Sequence, residues 1–447
     1  MSVNLKDTNA SISRQLITLA APLLLGSILQ QLYNAADSIV IQRFAGDAAF
    51  AAAGIAGIVM NLFIFLINGG CTGISIVMAS LYGAEDYKTL RCESYMGALY
   101  GCGFSILLSL FSILLMTPVL KLINTPDNLL PLARQYLTVI FAGMPAVFLY
   151  NFCAAALRAI GDTSHATVFL SISVVSNVLL DLLLIGKFSM GMTGAALATV
   201  ASQIISAVLC IIYISKKRSF LLFRRADMKT DKELLKRTAR FASISALNQS
   251  SLYIGKLLVQ GSVNSIDPLG TAAIPGFTAG SRIEAFTNAV GLAGGDAVSV
   301  FVAQNIGAGN GKRAREGFKK GCFLLFVVGL LMSAIMYIPA VPAVTIFVGN
   351  SAPAALAEGV IYLRVVALFY AICFIDCAFL GWNRGSGELD IFMTGTIAQV
   401  VIRVVLAWIL APRMGLVGVA LATGIGWAIL AVYKTIMYIQ RQKKEAF

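Results

Sequence analysis

The chain has 447 residues, of which 58% are hydrophobic and only 12% charged, and its formal net charge is +13. Soluble domains carry about 25% charged residues, so this composition excludes an ordinary soluble protein and favours a polytopic membrane protein. The excess of Lys and Arg lies mostly in loops between apolar segments, which is typical of membrane topology and argues against a nucleic-acid partner.

Twelve apolar segments are long enough to cross a bilayer as helices. They cover residues 15–42, 49–81, 93–117, 129–157, 164–186, 192–215, 236–261, 270–304, 318–338, 355–382, 389–411 and 415–439. Pro22, Pro145, Pro275 and the pair Gly294–Gly295 lie inside spans, where a kink is tolerated if protein or water satisfies the backbone. The sequence therefore predicts an all-α membrane protein with twelve transmembrane helices.

The distribution of Lys and Arg predicts that both termini are cytoplasmic. With the N-terminus inside, the inner segments hold most of the basic residues, including a dense connector over 216–240. The outer loops keep only Arg43, Lys121, Lys187 and Arg413. An even number of spans agrees with this orientation.

The two halves of the chain resemble each other at a constant separation of 224 residues. The segment from Ala79 resembles that from Ala303, and GMTGAALAT from Gly191 resembles GLVGVALAT from Gly415. Six spans separate the copies, so both have the same orientation, and a pseudo-two-fold axis along the membrane normal is expected to relate them. We predict a six-helix lobe over 1–215, a basic cytoplasmic linker over 216–235 and a second six-helix lobe over 236–447.

The first span contains a carboxylate, Asp37. Gln30, Tyr33 and Asn34 precede it at helical spacing, so the four side chains share one face. An ionisable residue inside a span is costly and indicates a functional site, although a structural aspartate paired with a neighbouring helix is the alternative. That face is expected to look into the protein or a wet cavity.

The fifth span carries a second polar stripe, Ser173, Asn177 and Asp181, at four-residue spacing. Asp181 and Asp37 both lie near the outer ends of their spans, so the two carboxyl groups are expected to share a cation site. Asn177 and Thr199 of span six would complete it, and snorkelling surface aspartates are the alternative. The second copy has Val401 and Val405 where the first has Asn177 and Asp181, but keeps Thr423 opposite Thr199, which suggests that one lobe is specialised for the cation.

The second lobe has its own charged residues inside spans: Lys256, Arg282, Glu284, Asp296, Asp376 and Arg403. An unpaired charge there is costly, so we predict that Lys256 and Arg282 pair with Glu284, Asp296 or Asp376. The sharper alternative gives Glu284 or Asp376 a role in binding substrate or a second cation. His165 is expected to be a surface histidine without a partner set, and no metal cluster is recognised.

Taken with these patterns, the motifs AAPLLLGSILQQLYNAADSIVIQRFAG, LRAIGDTSHA, SNVLLD and GMTGAALAT resemble the multidrug and toxic compound extrusion (MATE) family over essentially the whole chain. The QQLYNAAD wording is most similar to the MepA-like group, and the first-lobe quartet looks like the cation site of DinF-like members. The resemblance implies that Asp37, Asn177, Asp181 and Thr199 couple transport to a cation. Asp376 lies where NorM-like members carry a cation-site aspartate, but span seven has Lys256 and no acid.

The function implied is a secondary antiporter, not an enzyme, that exports amphipathic and cationic compounds in exchange for protons by alternating access. Its substrate-binding residues are expected to be Gln30, Tyr33, Asn34, Met144, Asn151, Tyr253, Glu284 and Asp376. Alternatives are Na⁺ coupling, a lipid-linked saccharide flippase of the same superfamily, or a receptor with a degenerate transporter fold. We expect a monomer in the bacterial inner membrane, with the lipid bilayer and small molecules as partners and no cofactor beyond H⁺ or Na⁺.

Overall fold

The computed structural model describes residues 10–123, 125–266, 272–349 and 352–445, which are almost entirely helical. The α-helices in this part of the chain, in order, are α1 Ile12–Ala45, α2 Asp47–Gly83, α3 Tyr87–Leu122, α4 Leu130–Ala142, α5 Met144–Ala159, α6 Thr163–Asp181, α7 Gly191–Lys217, α8 Lys232–Ile266, α9 Ala273–Gly307, α10 Gly311–Tyr337, α11 Ala340–Val348, α12 Pro353–Ala367, α13 Tyr370–Ser386 and α14 Leu389–Glu445. A π-helical turn, Leu182–Lys187, continues α6.

The predicted membrane spans correspond to these helices. Within the described residues, eight helices are long and apolar enough to cross a membrane, and counting the bent pairs α4–α5 and α12–α13 as one span each gives ten. α8 covers the more polar predicted span 236–261. α14 contains the last two predicted spans, separated by Gly415 at φ 59° and ψ −142°, a conformation that favours glycine. The prediction of an all-α polytopic membrane protein is confirmed.

The chain divides into two compact units. Unit 1 contains Leu25–Leu247 and Gly307–Gly309, and unit 2 contains Asn248–Ile306, the chain from Asn310 onward and the part of α1 up to Leu24. Each of α1 and α8 therefore contributes one part to each unit. The predicted lobe boundaries at 215 and 236 stay a prediction.

Backbone features recur within each unit at the 224-residue separation. Asp86 accepts a hydrogen bond from the Thr89 N–H (3.0 Å) and caps α3, while Asn310 accepts one from the Arg313 N–H (3.2 Å) and caps α10. The α4–α5 pair is bent by 49° and the α12–α13 pair by 55° at corresponding positions. Gly191 and Gly415, also a corresponding pair, both have positive φ. The duplication read from the sequence thus extends to caps, bends and turns.

Helix breaks fall at only some of the positions where the sequence allowed them. α1 and α9 continue through Pro22 and Pro275, and α9 also through Gly294 and Gly295. The α4–α5 break lies at Gly143, two residues before Pro145. Gly295 serves close packing instead, because a Cβ there would lie 2.6 Å from the carbonyl oxygen of Cys377 on α13.

Unit 1 contains a close contact between α2 and the first half of α8. A Cβ added at Gly69 would lie 2.5 Å from the Ala246 Cα, and one at Gly73 would lie 2.4 Å from the Phe241 carbonyl oxygen. Beside this contact, the buried Glu93 of α3 accepts a hydrogen bond from the Thr238 hydroxyl at 2.7 Å. These contacts fix the start of α8 in unit 1.

A polar cluster around Asp162 joins the start of α6 to the end of α7. The buried Asp162 carboxylate accepts hydrogen bonds from Tyr213 (2.9 Å) and from Arg218 (3.1 and 2.9 Å), and lies 2.6 Å from the His165 ring. Burial raises the pKa of Asp162, but the hydrogen bonds from His165, Arg218 and Tyr213 outweigh it and hold that pKa below its usual value. His165 is partly exposed, and its hydrogen-bond partners Asp162 and Tyr213, which sequence analysis did not identify, come from helix ends that folding brings together.

Candidate functional site

Four residues predicted to bind the coupling cation come from three helices of unit 1. Asp37 lies on α1, Asn177 and Asp181 on the last turns of α6, and Thr199 on α7. Asp181 has no exposed surface and Asn177 is 1% exposed, whereas Asp37 and Thr199 are half-buried. The folded chain therefore brings together all four residues from distant segments of the sequence.

The centre of the site is a pair of carboxyl groups. The carboxyl groups of Asp37 and Asp181 lie within hydrogen-bonding reach of each other. Two carboxylate oxygens at this separation repel each other unless a proton lies between them, so the contact needs at least one bound proton. The Oδ1 atom of each aspartate is buried and has no hydrogen-bond partner among the described residues. These two oxygens are available to a second proton or to a metal cation.

Asn177 connects Asp181 to α7. In the amide orientation that satisfies both of its polar atoms, Nδ2 donates to Asp181 Oδ2 at 2.8 Å and Oδ1 accepts from the Thr199 N–H at 3.2 Å. The amide occupies one oxygen of Asp181 and leaves the other free. Asn177 thereby positions Asp181, and a valine at this place could not do so.

Two tyrosine hydroxyls complete the site around Thr199. The Thr199 hydroxyl donates to the Ala195 carbonyl at 3.1 Å and lies 3.2 Å from the Tyr33 hydroxyl. Tyr136 of α4 also reaches Thr199 with its hydroxyl, which lies 3.8 Å from Met60 Sδ. Tyr33 was predicted to line this face, but Tyr136 was not. In the second copy Tyr362 takes the place of Tyr136, because it lies beside Glu284 as Tyr136 lies beside Met60, so the sequence offers no contrast that singles Tyr136 out.

The other substrate-binding residues predicted in unit 1 have varied surroundings. Gln30 is half-buried and Asn34 is exposed on α1. Met144 is buried next to the α4–α5 bend. Asn151 is half-buried and donates its amide to the Val147 carbonyl of its own helix at 2.8 Å. None of these four residues takes part in the hydrogen bonds of the cation site described above. Their role in binding cargo stays a prediction.

In unit 2, Glu284 is the centre of a buried hydrogen-bonded group. One carboxylate oxygen accepts from the Tyr362 hydroxyl at 2.7 Å and the other from the Asn288 amide at 3.4 Å. Glu284 occupies the position that corresponds to Met60 in the first copy. Tyr253 on α8, predicted to bind cargo, is half-buried.

The ion pairs that were predicted for unit 2 were wrong. Asp376 pairs with Lys434 of α14 at 2.7 Å, and Asp296 pairs with Arg384 of α13 at 2.6 Å. Lys434 is 1% exposed, so its ammonium group is fully enclosed with the Asp376 carboxylate. Sequence analysis assigned Arg384 to an inner segment by its charge and did not consider Lys434, which lies inside the last predicted span. The Asp376 carboxylate is therefore engaged by a lysine rather than open to a cation.

Lys256 and Arg282, which were expected to take these acids, are both exposed. Within the described residues, neither makes an ion pair or hydrogen bond with Glu284, Asp296 or Asp376. The acids of unit 2 are thus occupied by other groups, and these two cations are left without the predicted partners.

Comparison with known proteins gives the family. The MatE family profile matches residues 22–183 and 245–409, one segment in each half. The probable multidrug resistance protein YpnP of Bacillus subtilis is 27% identical over 425 residues, which cover 94% of this chain and 93% of that protein. The multidrug export protein MepA of Staphylococcus saprophyticus is 26% identical over 231 residues, covering 51% of this chain and 50% of that protein.

A solved structure supports the same fold. An outward-facing multidrug resistance MATE transporter superposes with a TM-score of 0.90 at 22% identity, covering 99% of this chain and all of that one. Together with the duplicated helices and the family match over both halves, this shows that the chain belongs to the MatE family of membrane transporters, the multidrug and toxic compound extrusion proteins.

Proposed function

We propose that this transporter exports amphipathic organic compounds, including cationic ones, in exchange for protons. The observation that carries the proposal is the hydrogen-bonded pair of Asp37 and Asp181 inside unit 1. Such a pair is costly to bury and needs a proton to form, so it is suited to taking up and releasing protons during a transport cycle. Its absence from the second copy, where Val259 and Ala407 occupy the corresponding buried positions, argues against a role in the fold alone.

The proposed cycle alternates between two charge states of this pair. With one shared proton the pair carries one negative charge, and with a second proton on a free Oδ1 atom it is neutral. Neutralisation removes the negative charge that α1 and α6 share and allows the outer part of α1, beyond Pro22, to shift. Export is driven only if the proton and the cargo favour different conformations, because a ligand moves an equilibrium by its differential affinity.

The polar groups around the pair have supporting roles in this proposal. Asn177 holds Asp181 in place in both charge states, because its amide donates to the oxygen that is not exchanged. Tyr33 and Tyr136 hold Thr199 from the side of α1 and α4. Movement of α1 would change the Tyr33–Thr199 contact, which links the charge of the aspartates to the shape of the face that carries Gln30 and Asn34.

Na⁺ is the second candidate for the coupling ion. Sodium prefers oxygen ligands, and the site offers two unpartnered carboxylate oxygens and the hydroxyl of Thr199. A sodium ion bound between the two carboxylates would take the place of the shared proton. The two ions are separated by experiment, since only proton coupling gives transport under a pH gradient without Na⁺.

The chemical class of the cargo is supported by the relatives, whose names describe multidrug resistance and multidrug export. Sites that accept many shapes are mostly apolar with a few polar groups, in agreement with Met144, Tyr33 and Tyr253 among the predicted lining residues. A lipid-linked saccharide flippase is the alternative within the superfamily. We further propose that the protein acts as a monomer in the bacterial inner membrane with both termini in the cytoplasm.

The test is transport by purified protein in liposomes. A pH gradient is imposed at clamped membrane potential, and accumulation of a cationic dye is followed by fluorescence, with and without Na⁺. Proton coupling predicts accumulation in the absence of Na⁺, and its loss in the Asp37→Asn, Asp181→Asn double variant. Accumulation driven by Na⁺ alone would identify Na⁺ as the coupling ion. Undiminished pH-driven accumulation by the double variant would show that these aspartates do not couple transport to protons.

A further inference from the structure

Unit 2 contains two membrane-embedded cations that make no ion pair with the described residues. Lys256 on α8 is exposed, and Arg403 on α14 is half-buried with an Nε atom that is buried and has no hydrogen-bond partner among the described residues. The nearby carboxylates are occupied: Glu284 by Tyr362 and Asn288, and Asp376 by Lys434. A buried or membrane-embedded charge is costly unless something compensates it, so both cations call for a counter-charge.

The two cations lie at one level on neighbouring helices. Asn248 of α8 donates to Thr396 of α14, a Cβ at Gly255 would lie 2.9 Å from Val400, and one at Gly261 would lie 3.5 Å from Trp408. The residue numbers increase together along these contacts, so α8 and the first arm of α14 run parallel in the same register. This register places Lys256 level with residues 402 and 403.

The side chains also lie on suitable faces. Arg403 is three residues after Val400, one turn further along the stripe of α14 that contacts α8. Lys256 adjoins the contact residue Gly255. It belongs to a polar stripe of α8 at steps of three and four residues: Gln249, Tyr253, Lys256, Gln260 and Asn264. Such a stripe cannot face hydrocarbon, so we place it against a water-lined surface.

The duplication shows that the fold does not require these charges. The pattern of burial aligns α8 with α1 at a separation of 222 residues and α14 with α6 at 226, so Lys256 corresponds to Asn34 and Arg403 to Asn177. Both positions carry an uncharged amide in the first copy. The two cations are therefore an addition to the second copy and point to a ligand rather than to helix packing.

We infer that Lys256 and Arg403 form a binding site for the anionic group, a carboxylate or a phosphate, of an amphipathic cargo. The site supplies the counter-charge that neither residue finds in the protein, and the guanidinium of Arg403 can donate two parallel hydrogen bonds to a planar carboxylate or to a phosphate. This inference rests on the proposed export function and narrows its cargo: zwitterionic and anionic amphiphiles bind better than their uncharged or purely cationic counterparts.

The test uses two dyes that differ only at the acidic group. Rhodamine 110 has a free carboxylate, and rhodamine 123 is its methyl ester. Binding of each dye to purified full-length protein is measured by fluorescence anisotropy, without any ion gradient. A charge-assisted hydrogen bond contributes roughly 1.5–3 kcal/mol, so the Lys256→Gln, Arg403→Gln double variant should bind the acid about tenfold or more weakly. Its affinity for the ester should stay within about twofold, which also shows that the variant is folded.

Two further variants make the result specific. Arg413→Gln removes an exposed cation ten residues further along α14 and should leave both affinities unchanged. Lys256→Arg keeps the charge and should keep the preference for the acid. An equal loss of affinity for both dyes, or an unchanged ratio between acid and ester in the double variant, would overturn the inference.

The source of the anionic group is separated by repeating the measurement in nanodiscs with increasing phosphatidylglycerol. Competition between this lipid and rhodamine 110 identifies a lipid headgroup as an occupant, and its absence assigns the site to soluble acids. Because no gradient is used, a failure of proton coupling at Asp37 and Asp181 leaves this measurement intact, and the two proposals fail independently.

Discussion

The number of protons exchanged by the Asp37–Asp181 pair sets how steep a cargo gradient the transporter can support. The two carboxyl groups lie within hydrogen-bonding reach of each other, and each has an Oδ1 atom without a partner among the described residues. In the proposed cycle the pair alternates between one and two protons, so one proton is exchanged per cycle. One pH unit is worth about 1.4 kcal/mol per proton, or a factor of ten in concentration.

This count gives a quantitative expectation for liposomes at clamped membrane potential. The steady-state cargo ratio should rise about tenfold for each unit of pH difference, a slope of roughly one on logarithmic axes. In the Asp37→Asn, Asp181→Asn double variant no exchangeable proton remains, so the slope should fall to zero while cargo still equilibrates down its gradient. Val405→Asn places the same side chain at an exposed position of unit 2 and should keep the full slope.

Two outcomes would refute this reasoning. A slope near one in the double variant would show that protons are exchanged elsewhere in the chain. A slope near two in the unmodified protein would show that both protons leave the pair, or that a second group such as the buried Glu93 contributes. Thermal unfolding in detergent checks that each variant is folded before its slope is interpreted.

Three further predictions concern stability, each measured as thermal unfolding in detergent. Asp162→Asn should destabilise by about 2 kcal/mol at neutral pH, since it removes charge-assisted hydrogen bonds to partly exposed groups. Because the pKa of Asp162 is lowered in the folded protein, this contribution is present above its unfolded pKa of about 4 and should vanish as the pH falls through the lower folded pKa. Gly73→Ala should destabilise by roughly 1–3 kcal/mol because its Cβ meets backbone at 2.4 Å, while Gly70→Ala, with nothing within 4 Å, should be neutral. Lys434→Met should cost about 3–5 kcal/mol by leaving the Asp376 carboxylate unpaired, and adding Asp376→Asn should restore most of the loss; equal stability of the single and double variants would contradict the ion pair.

The cation-site residues could be predicted from sequence because helical spacing and an internal repeat both act over short, regular distances. Asp37 stands out as a charge within a span, and Asn177 and Asp181 stand out against the valines 224 residues further on. Tyr136 carried no such signal, since a single tyrosine in an apolar span fits ordinary packing equally well. Its place beside Thr199 depends on the bend between α4 and α5.

The partners of the charges in unit 2 could not be predicted in the same way. Asp376 and Lys434 are 58 residues apart, and their contact depends on how α13 packs against α14. Sequence analysis paired the acids of unit 2 with the basic residues that it recognised inside spans, Lys256 and Arg282. The residues that take the acids are Lys434 and Arg384, which sequence analysis left out of these pairings.

The divergence of the two copies bears on how protons and cargo are coupled. Unit 1 keeps the Asp37–Asp181 pair, with no ion pair to it among the described residues, while unit 2 has its acids occupied and carries Lys256 and Arg403 where the first copy has Asn34 and Asn177. A proton on Asp37 or Asp181 and an acidic group on Lys256 and Arg403 would then use different residues, so direct competition for one group does not couple them. Coupling must come from a conformational equilibrium that both ligands bias. It follows that the Asp37→Asn, Asp181→Asn double variant should still prefer rhodamine 110 over its ester in a binding assay, although its transport no longer responds to pH. Loss of that preference in the double variant would show that protons and cargo share a site.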